Sequence, residues 1–477
     1  MNSENKKRLR RAEPAPKAGI VHLGLGAFFR AHGAIYIKEA MAQSGGDWGV
    51  VGVSLRSPGV RDKLVQQGCL YTALELSGQG LKCQVVDVVT SVLVAPEDPN
   101  AVLQELIAKA TRIVSLTVTE KGYCRGGANT VLDFDHPDIK HDLQNPTPRS
   151  APGFLVRALE MRWRQGMRPF TVLSLDNLPE NGKLTRQIVC EFAARIDPDL
   201  VRWIEAECKF PCTMVDRIVP ATTEELIDRA SGISGYHDPA VVAHEPFRQW
   251  VIEDDFVDSA RPAFEAAGAQ LVDDVESFEH LKLRMLNGTH SALAYLGRLA
   301  GYETVAEAIR DEGIEKFIEA LWREEIATSL DAPPDADLDD YAAQLKSRYQ
   351  NAEIRHLLEQ ISMDGSQKLP QRILAPLFEN LAAGKPYQRL LVVLAAWFRF
   401  IEIWSKNGQS GLNDPIEKQL LQAVSNASND ADLVERLLQS APVFGDLPTH
   451  RIADELVAIL GQLGDFHDTA RLEGIRL

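Results

Sequence analysis

The sequence predicts an α/β protein in two parts: a parallel sheet covered by helices, then a mainly α-helical half. Two observations carry this. In the first half, short β-branched runs alternate with helical stretches, as parallel strands joined by helical crossovers do. From about Ser277 onward strand-like runs vanish and helical periodicity takes over. At 477 residues the chain is about three times a typical domain. Two domains are therefore expected, 1–275 and 276–477, with the boundary near residue 275.

In chain order, Gly19–Leu23 reads as a strand, Ala34–Ala42 as the helix after it and Gly49–Leu55 as a second strand. Val85–Val94, Arg112–Val118 and Phe170–Leu175 continue the series. Between the last two lies a polar excursion, Glu120–Arg149, with Gly126, Gly127, Pro137, Pro146 and Pro148, a length typical of a functional loop or lid. The second half reads as helices over Glu279–Leu296, Thr304–Thr328, Leu338–Tyr349 and Tyr387–Ile403. Met1–Gly19 carries Lys6, Lys7, Arg8, Arg10 and Arg11 without a following apolar stretch, so it reads as a solvated tail rather than a secretory signal. The longest apolar run, Leu390–Phe398, is too short to cross a bilayer and fits a buried helix.

Composition narrows the function. The 67 acidic and 51 basic residues leave a formal net charge of −16, which disfavours nucleic acid because phosphate neutralisation needs a basic face. An anionic substrate would have to be met by local cations. The six cysteines are scattered and read as reduced thiols, so a cytoplasmic protein is expected. Cys208 and Cys212 could be half a zinc site, but Pro211 between them and the lack of a second pair favour buried thiols, and no metal is expected. No membrane partner is indicated, and a monomer or small homo-oligomer is expected.

The first strand runs into Gly24-Leu25-Gly26-Ala27-Phe28-Phe29-Arg30. A strand, a glycine turn and a helix, in that order, form the place where a dinucleotide pyrophosphate binds in a Rossmann-like domain. The match is partial, since Phe29 stands where a third glycine would, and a plain βα turn is the alternative. The second strand ends at Leu55 and is followed by Arg56, where an acidic residue would favour NAD. A guanidinium there can accept a 2′-phosphate, stack on adenine or simply be exposed, so NAD is expected with NADP left open. Thr117-Val118-Thr119-Glu120-Lys121 ends a further strand, on the side of the sheet where ligands bind, or else caps a loop.

The segment Phe278–Ser291 collects polar groups. At 100° per residue, Lys282, Glu279, His290 and Asn287 fall at roughly 0°, 60°, 80° and 140°, on one arc that excludes Leu281 and Met285. Removing a proton as a hydride leaves a secondary alcohol calls for a base near neutrality. Lysine titrates near 10.4, and burial can bring it down to roughly 7 to 8. The same ammonium protonates an alkoxide in the reverse direction, and the oxyanion wants neutral donors already in place. Asn287 and Asn177 are the candidates. A lysine that snorkels to water is the alternative. Gly288 costs about 1 kcal/mol in a helix, which implies that something passes close to the backbone there.

With these residues in view, the sequence resembles the polyol-specific long-chain dehydrogenase/reductase family. The carriers are Gly24-x-Gly26-x-Phe28-x-Arg30-Ala31-His32, Thr117-Val118-Thr119-Glu120-Lys121-Gly122-Tyr123, Asp176-Asn177 with Asn181-Gly182, Met214-Val215-Asp216-Arg217-Ile218, and Lys282-x4-Asn287-x2-His290. The resemblance implies Lys282 as general acid/base, Asn177 and Asn287 as oxyanion amides, His290 as a substrate-hydroxyl contact, Glu279 as a proton relay and Asp216 as a pocket residue. It implies NAD(H), no metal, and a cofactor end drawn from Gly24, Gly26, Phe28, Arg30, Arg56, Thr117, Thr119, Glu120 and Lys121. Arg56 departs from the acidic residue of NAD-strict relatives. Within the family, Glu245–Asp254 and Met363–Arg372 look most like fructuronate reductases. The resemblance therefore implies a sugar acid, fructuronate/mannonate, whose carboxylate Lys368 or Arg372 could receive. Mannitol/fructose is the second reading, and a silent dinucleotide-binding sensor is the rival of another class.

Overall fold

The computed structural model describes residues 7–126, 131–334, 336–407 and 411–464, together with 469 and 472. The chain divides into two compact units, Met1–Glu276 and Ser277–Leu477.

Among its described residues the first unit holds eleven strands: β1 Ala18–Leu23, β2 Gly49–Ser54, β3 Tyr71–Ser77, β4 Gly80–Val86, β5 Val89–Val94, β6 Ile113–Leu116, β7 Thr171–Ser174, β8 Thr213–Asp216, β9 Val242–His244, β10 Gln249–Glu253 and β11 Gln270–Val272. Five form a parallel sheet in the order β5-β2-β1-β6-β7. Along β1, Ile20 enters one apolar core while Val21 and Leu23 enter another, and β2 and β6 divide their side chains the same way. Burial on both faces explains why these strands read as unbroken β-branched runs rather than alternating ones.

Three sequence expectations are corrected here. Val85–Val94 is two strands: β4 pairs antiparallel with β3, and β5 pairs with β2 in the parallel sheet. The break falls at Asp87, which offers no glycine or proline signal. The basic N-terminal segment is not a solvated tail over its described part. Leu9 is buried, and the Arg11 guanidinium donates to Gly68 O at 2.9 Å, Asp87 O at 2.9 Å and Val89 O at 2.8 Å. Lys6 lies outside the described residues. Over its described residues the Glu120–Arg149 excursion packs down instead of standing off as a lid. It contains the helix Pro137–Gln144, buries Leu132 and Ile139, and buries Asp142 as acceptor for Arg149 N, Ser150 N and Ser150 Oγ. Gly127 lies outside the described residues.

The second unit is helical, as expected from its periodicity. Its centre is Gln388–Lys406, in which Leu390–Phe398 is buried throughout. The buried Glu325 carboxylate caps that helix by accepting from Arg389 N at 2.8 Å and Leu390 N at 2.9 Å. Leu338–Tyr349 is helical over its expected span. The expected single helix Glu279–Leu296 instead has three parts: α-helix Glu276–Leu281, π-helix Lys282–Gly288 and α-helix Thr289–Leu299. Two more π-helical turns occur at Leu321–Ile326 and Pro370–Leu374. Among the described residues no helix is long and apolar enough to cross a membrane, and no group of three or more His, Cys, Asp or Glu is placed to hold a metal ion.

Burial holds three imidazoles of the first unit, His22, His32 and His244, down to about 3 from the ordinary 6.5. Unfolding frees each to bind a proton below pH 6.5, so the stability they confer is complete above that pH and is lost as pH falls. With three such groups the unfolding free energy is expected to drop by up to about 4 kcal/mol per pH unit on acidification below 6.5. Guanidinium unfolding of the first unit between pH 7 and 5 measures this, and a midpoint independent of pH would contradict it.

Candidate functional site

In the first unit, β1 delivers the chain into the Gly24–Gly26 turn. Gly24 has φ +93°, and a Cβ there would lie 2.2 Å from Thr117 O, so no other residue fits. At Gly26 the surroundings are open, with Gly24 O the nearest atom to a built Cβ at 3.7 Å. The turn thus presents bare backbone to open space, which fits the close approach a pyrophosphate makes. Phe29 stacks on the buried His22 ring at 3.5 Å with 12° between planes, which gives a packing reason for the missing third glycine.

Arg30 is turned inward. Its Nε donates to Gly26 O at 3.3 Å and its Nη1 to Ala240 O at 2.5 Å, so it braces the turn from beneath. Phe28 is half-buried and stacks on His32. Arg56 is exposed just past β2. Thr117 donates its hydroxyl to Gly24 O at 2.7 Å. Thr119, Glu120 and Lys121 are exposed in the single helical turn Thr119–Gly122, and Glu120 pairs with Arg125 at 3.5 Å.

Thr119 adopts φ +65°, a strained conformation for a β-branched residue. Asp176, just past β7, holds it. Its carboxylate accepts from Val118 N at 3.0 Å, Thr119 N at 2.9 Å and the Tyr123 hydroxyl at 2.9 Å. Burial nevertheless pushes the Asp176 carboxyl above its usual range. Asn177 follows it and is exposed, while Asp216 is buried at the end of β8 opposite Gln249. From sequence, Asp176 was visible only as part of a family motif; the strain it restrains leaves no sequence signal.

In the second unit the candidate residues Lys282 and Asn287 sit on the π-helical turn. Its i→i+5 bonding widens the turn, so Lys282 and Asn287 lie closer in direction than the 140° that α-helical spacing predicts. Lys282 is 8% exposed and His290 7%. Glu279 is half-buried in the preceding α-helix.

A widened turn strands backbone carbonyls, and side chains meet them here. Met285 O accepts from Trp322 Nε1 at 3.0 Å and from the Thr289 hydroxyl. Leu286 O accepts from the Tyr349 hydroxyl at 3.1 Å and from Thr289 Oγ1 at 3.3 Å. Asn287 O accepts from Ser291 Oγ at 3.3 Å and Arg372 Nη1 at 3.4 Å. Thr289, Trp322 and Tyr349 were not recognised from sequence: Trp322 reads there as packing, and the other two carry no signal.

Gly288 lets a second chain segment in: a Cβ on it would stand 3.0 Å from Arg372 O. Arg372, on the π-turn Pro370–Leu374, also donates to Ser291 Oγ at 3.2 Å. It makes no ion pair among the described residues, and burial lowers its affinity for its proton. Lys368 is half-buried, donates to Ile361 O at 3.2 Å, and is shifted down by burial and then by Arg372. His290 is held well below its ordinary value by burial, then by His356, Arg348 and Arg372, and His356 is brought to about 4 by burial. The two rings meet edge to face at 5.0 Å, and His290 Nε2 and His356 Nδ1 are buried without a hydrogen-bond partner among the described residues. His356 carries no motif and was missed.

Comparison with known proteins gives a consistent set. Residues 18–266 match the mannitol dehydrogenase Rossmann domain and residues 274–463 the mannitol dehydrogenase C-terminal domain. A D-mannonate oxidoreductase of Escherichia coli is 43% identical over 433 residues, 90% of this chain and 89% of the relative. A mannitol 2-dehydrogenase of Aspergillus terreus is 40% identical, covering 91% of this chain and 87% of the relative. The solved mannitol 2-dehydrogenase of Pseudomonas fluorescens, in ternary complex with NAD and D-mannitol, matches with a TM-score of 0.81 at 36% identity, over 98% of this chain and 96% of that one.

Gly288→Ala tests the packing of the two π-turns. The new methyl meets backbone at 3.0 Å, so overpacking is expected to cost about 1–3 kcal/mol, exceeding the gain of about 1 kcal/mol in helix propensity. Denaturant unfolding of the variant measures this, and a stabilised protein would contradict the close approach.

Proposed function

The chain belongs to the mannitol dehydrogenase family, and on that premise we propose that it interconverts D-fructuronate and D-mannonate by hydride transfer with NAD. The nicotinamide, when bound, takes up or supplies the hydride. Gly24 and Gly26 offer backbone to the pyrophosphate, with Arg30 and Thr117 fixing the turn and Phe28, Thr119, Glu120 and Lys121 bordering it. Arg56, exposed just past β2, would meet the adenosine ribose, and as a cation it allows NADP as well.

Lys282 removes the proton of the reacting hydroxyl in oxidation and returns it to the carbonyl oxygen in reduction. Its burial keeps water from competing for that proton. The amide of Asn287, on the same π-turn as Lys282, donates to the reacting oxygen, and Asn177 is the second such donor. Glu279 relays the proton, while His290 and Asp216 contact sugar hydroxyls.

The observation that carries the sugar acid is Arg372. It is a buried-side guanidinium whose hydrogen bonds go to a carbonyl and a hydroxyl, and a substrate carboxylate would supply the missing counter-charge. Lys368, one helical turn earlier, adds a second cation. The likeness to D-mannonate oxidoreductase agrees with this. Mannitol/fructose is the second reading, supported by the mannitol 2-dehydrogenase relatives.

NADH oxidation followed by absorbance with fructuronate, tagaturonate and fructose, repeated with NADPH, separates the readings. Turnover with fructuronate is expected, and turnover with fructose alone would overturn the sugar-acid assignment. Saturable NADH binding without turnover on any carbonyl would mark a sensor. Lys282→Ala is expected to lower the rate by orders of magnitude at unchanged NADH affinity, and wild-type activity would remove it from the mechanism. Losing a charge-assisted bond of about 1.5–3 kcal/mol, Arg372→Gln should raise KM for fructuronate roughly ten- to hundredfold. An equal rise for fructose would count against a carboxylate contact.

A further inference from the structure

His22 has no place in the mechanism above, yet it is a fully buried imidazole in a strand otherwise lined with apolar side chains. It stands in register with Ser115 of β6. Its Nδ1 lies 2.8 Å from Ser115 Oγ, and its Nε2 lies 2.9 Å from Thr117 Oγ1 and 3.3 Å from Gly24 O. Thr117 Oγ1 is in turn 2.7 Å from Gly24 O.

The directions of these bonds follow from what each atom can do. A carbonyl only accepts, so the Thr117 hydroxyl spends its proton on Gly24 O, and its oxygen must accept from His22 Nε2–H. That fixes the tautomer and leaves Nδ1 an acceptor, so the Ser115 hydroxyl donates to it. The chain runs one way: Ser115 Oγ–H to Nδ1, Nε2–H to Thr117 Oγ1, Oγ1–H to the carbonyl of Gly24. Gly26 N closes on the same carbonyl at 2.6 Å, and the face of the imidazole is covered by Phe29. Burial keeps the ring neutral, which this pattern needs, because an imidazolium would donate at both nitrogens and reverse the bond to Ser115.

We propose that His22 is a positioning residue for the dinucleotide: through Thr117 it fixes the peptide plane after Gly24, and so the backbone that meets the pyrophosphate. The proposal rests on reading the Gly24 turn as the cofactor site. If the wild-type protein fails to bind NADH, that reading fails first, and the variants below are not needed to show it.

The test is NADH affinity by fluorescence titration, alongside kcat. Leucine at position 22 has no donor, whereas the amide of glutamine reaches about as far as Nε2. His22→Leu is expected to raise the Kd for NADH about tenfold or more with a smaller change in kcat, and His22→Gln to stay within a few-fold of wild type. Equal affinity for His22→Leu and wild type, or equal loss in both variants, would overturn the proposal. Thr117→Val and Thr117→Ser repeat the test without disturbing the packing under Phe29. The valine variant should weaken NADH binding and the serine variant restore it, and valine with wild-type affinity would again overturn the role.

Discussion

The chemistry assigned to this protein depends on the side-chain hydrogen bonds that hold the Lys282–Gly288 turn open as a π-helix. Widening a helix leaves carbonyls unmet, and a buried carbonyl without a donor costs on the order of 1–3 kcal/mol. Trp322 and Thr289 meet Met285 O, Tyr349 and Thr289 meet Leu286 O, and Ser291 and Arg372 meet Asn287 O. With these in place the turn brings Asn287 closer in direction to Lys282 and brings Gly288 against the backbone of Arg372. The proposed amine, amide and cation thus lie on two turns that pack on each other.

The cofactor end in the first unit is built on the same principle with different parts. A strained backbone is useful there because it exposes peptide groups, and it persists because buried side chains over-determine it. Asp176 takes three donors to hold Thr119 at φ +65°, and Arg30 together with the His22–Thr117 chain holds the turn at Gly24.

The sequence made some of this legible. The glycine turn could be found because Gly24 and Gly26 follow an apolar strand, and the parallel sheet because strands buried on both faces are β-branched throughout. Lys282, Asn287 and His290 stood out as polar groups sharing one arc of the expected helix. The smaller angle between the first two did not, because reading periodicity at 100° per residue presumes the α-helix that the turn departs from. Trp322 and Tyr349 each lie dozens of residues from the carbonyls they serve, so no local pattern ties them together. His22 is a single polar residue within a strand, and its meaning lies wholly in its partners on β6. The Arg11 strap and the packed Glu120–Arg149 excursion were misread for a related reason: charge and proline content predict exposure only until a distant carbonyl or carboxylate supplies a partner, as Gly68 O, Asp87 O and Val89 O do for Arg11, and Glu191 for Val131 N and Leu132 N.

The dependence on the π-turn is open to one direct measurement, the single-turnover rate of hydride transfer in Tyr349→Phe. The substitution removes only a hydroxyl that serves Leu286 O at 3.1 Å and lies 2.7 Å from Thr289 Oγ1. Hydride transfer is expected to slow about tenfold or more, a loss of about 1.4 kcal/mol, with NADH affinity unchanged. Transfer at the wild-type rate in the folded variant would contradict the view that the geometry of this turn governs the chemistry.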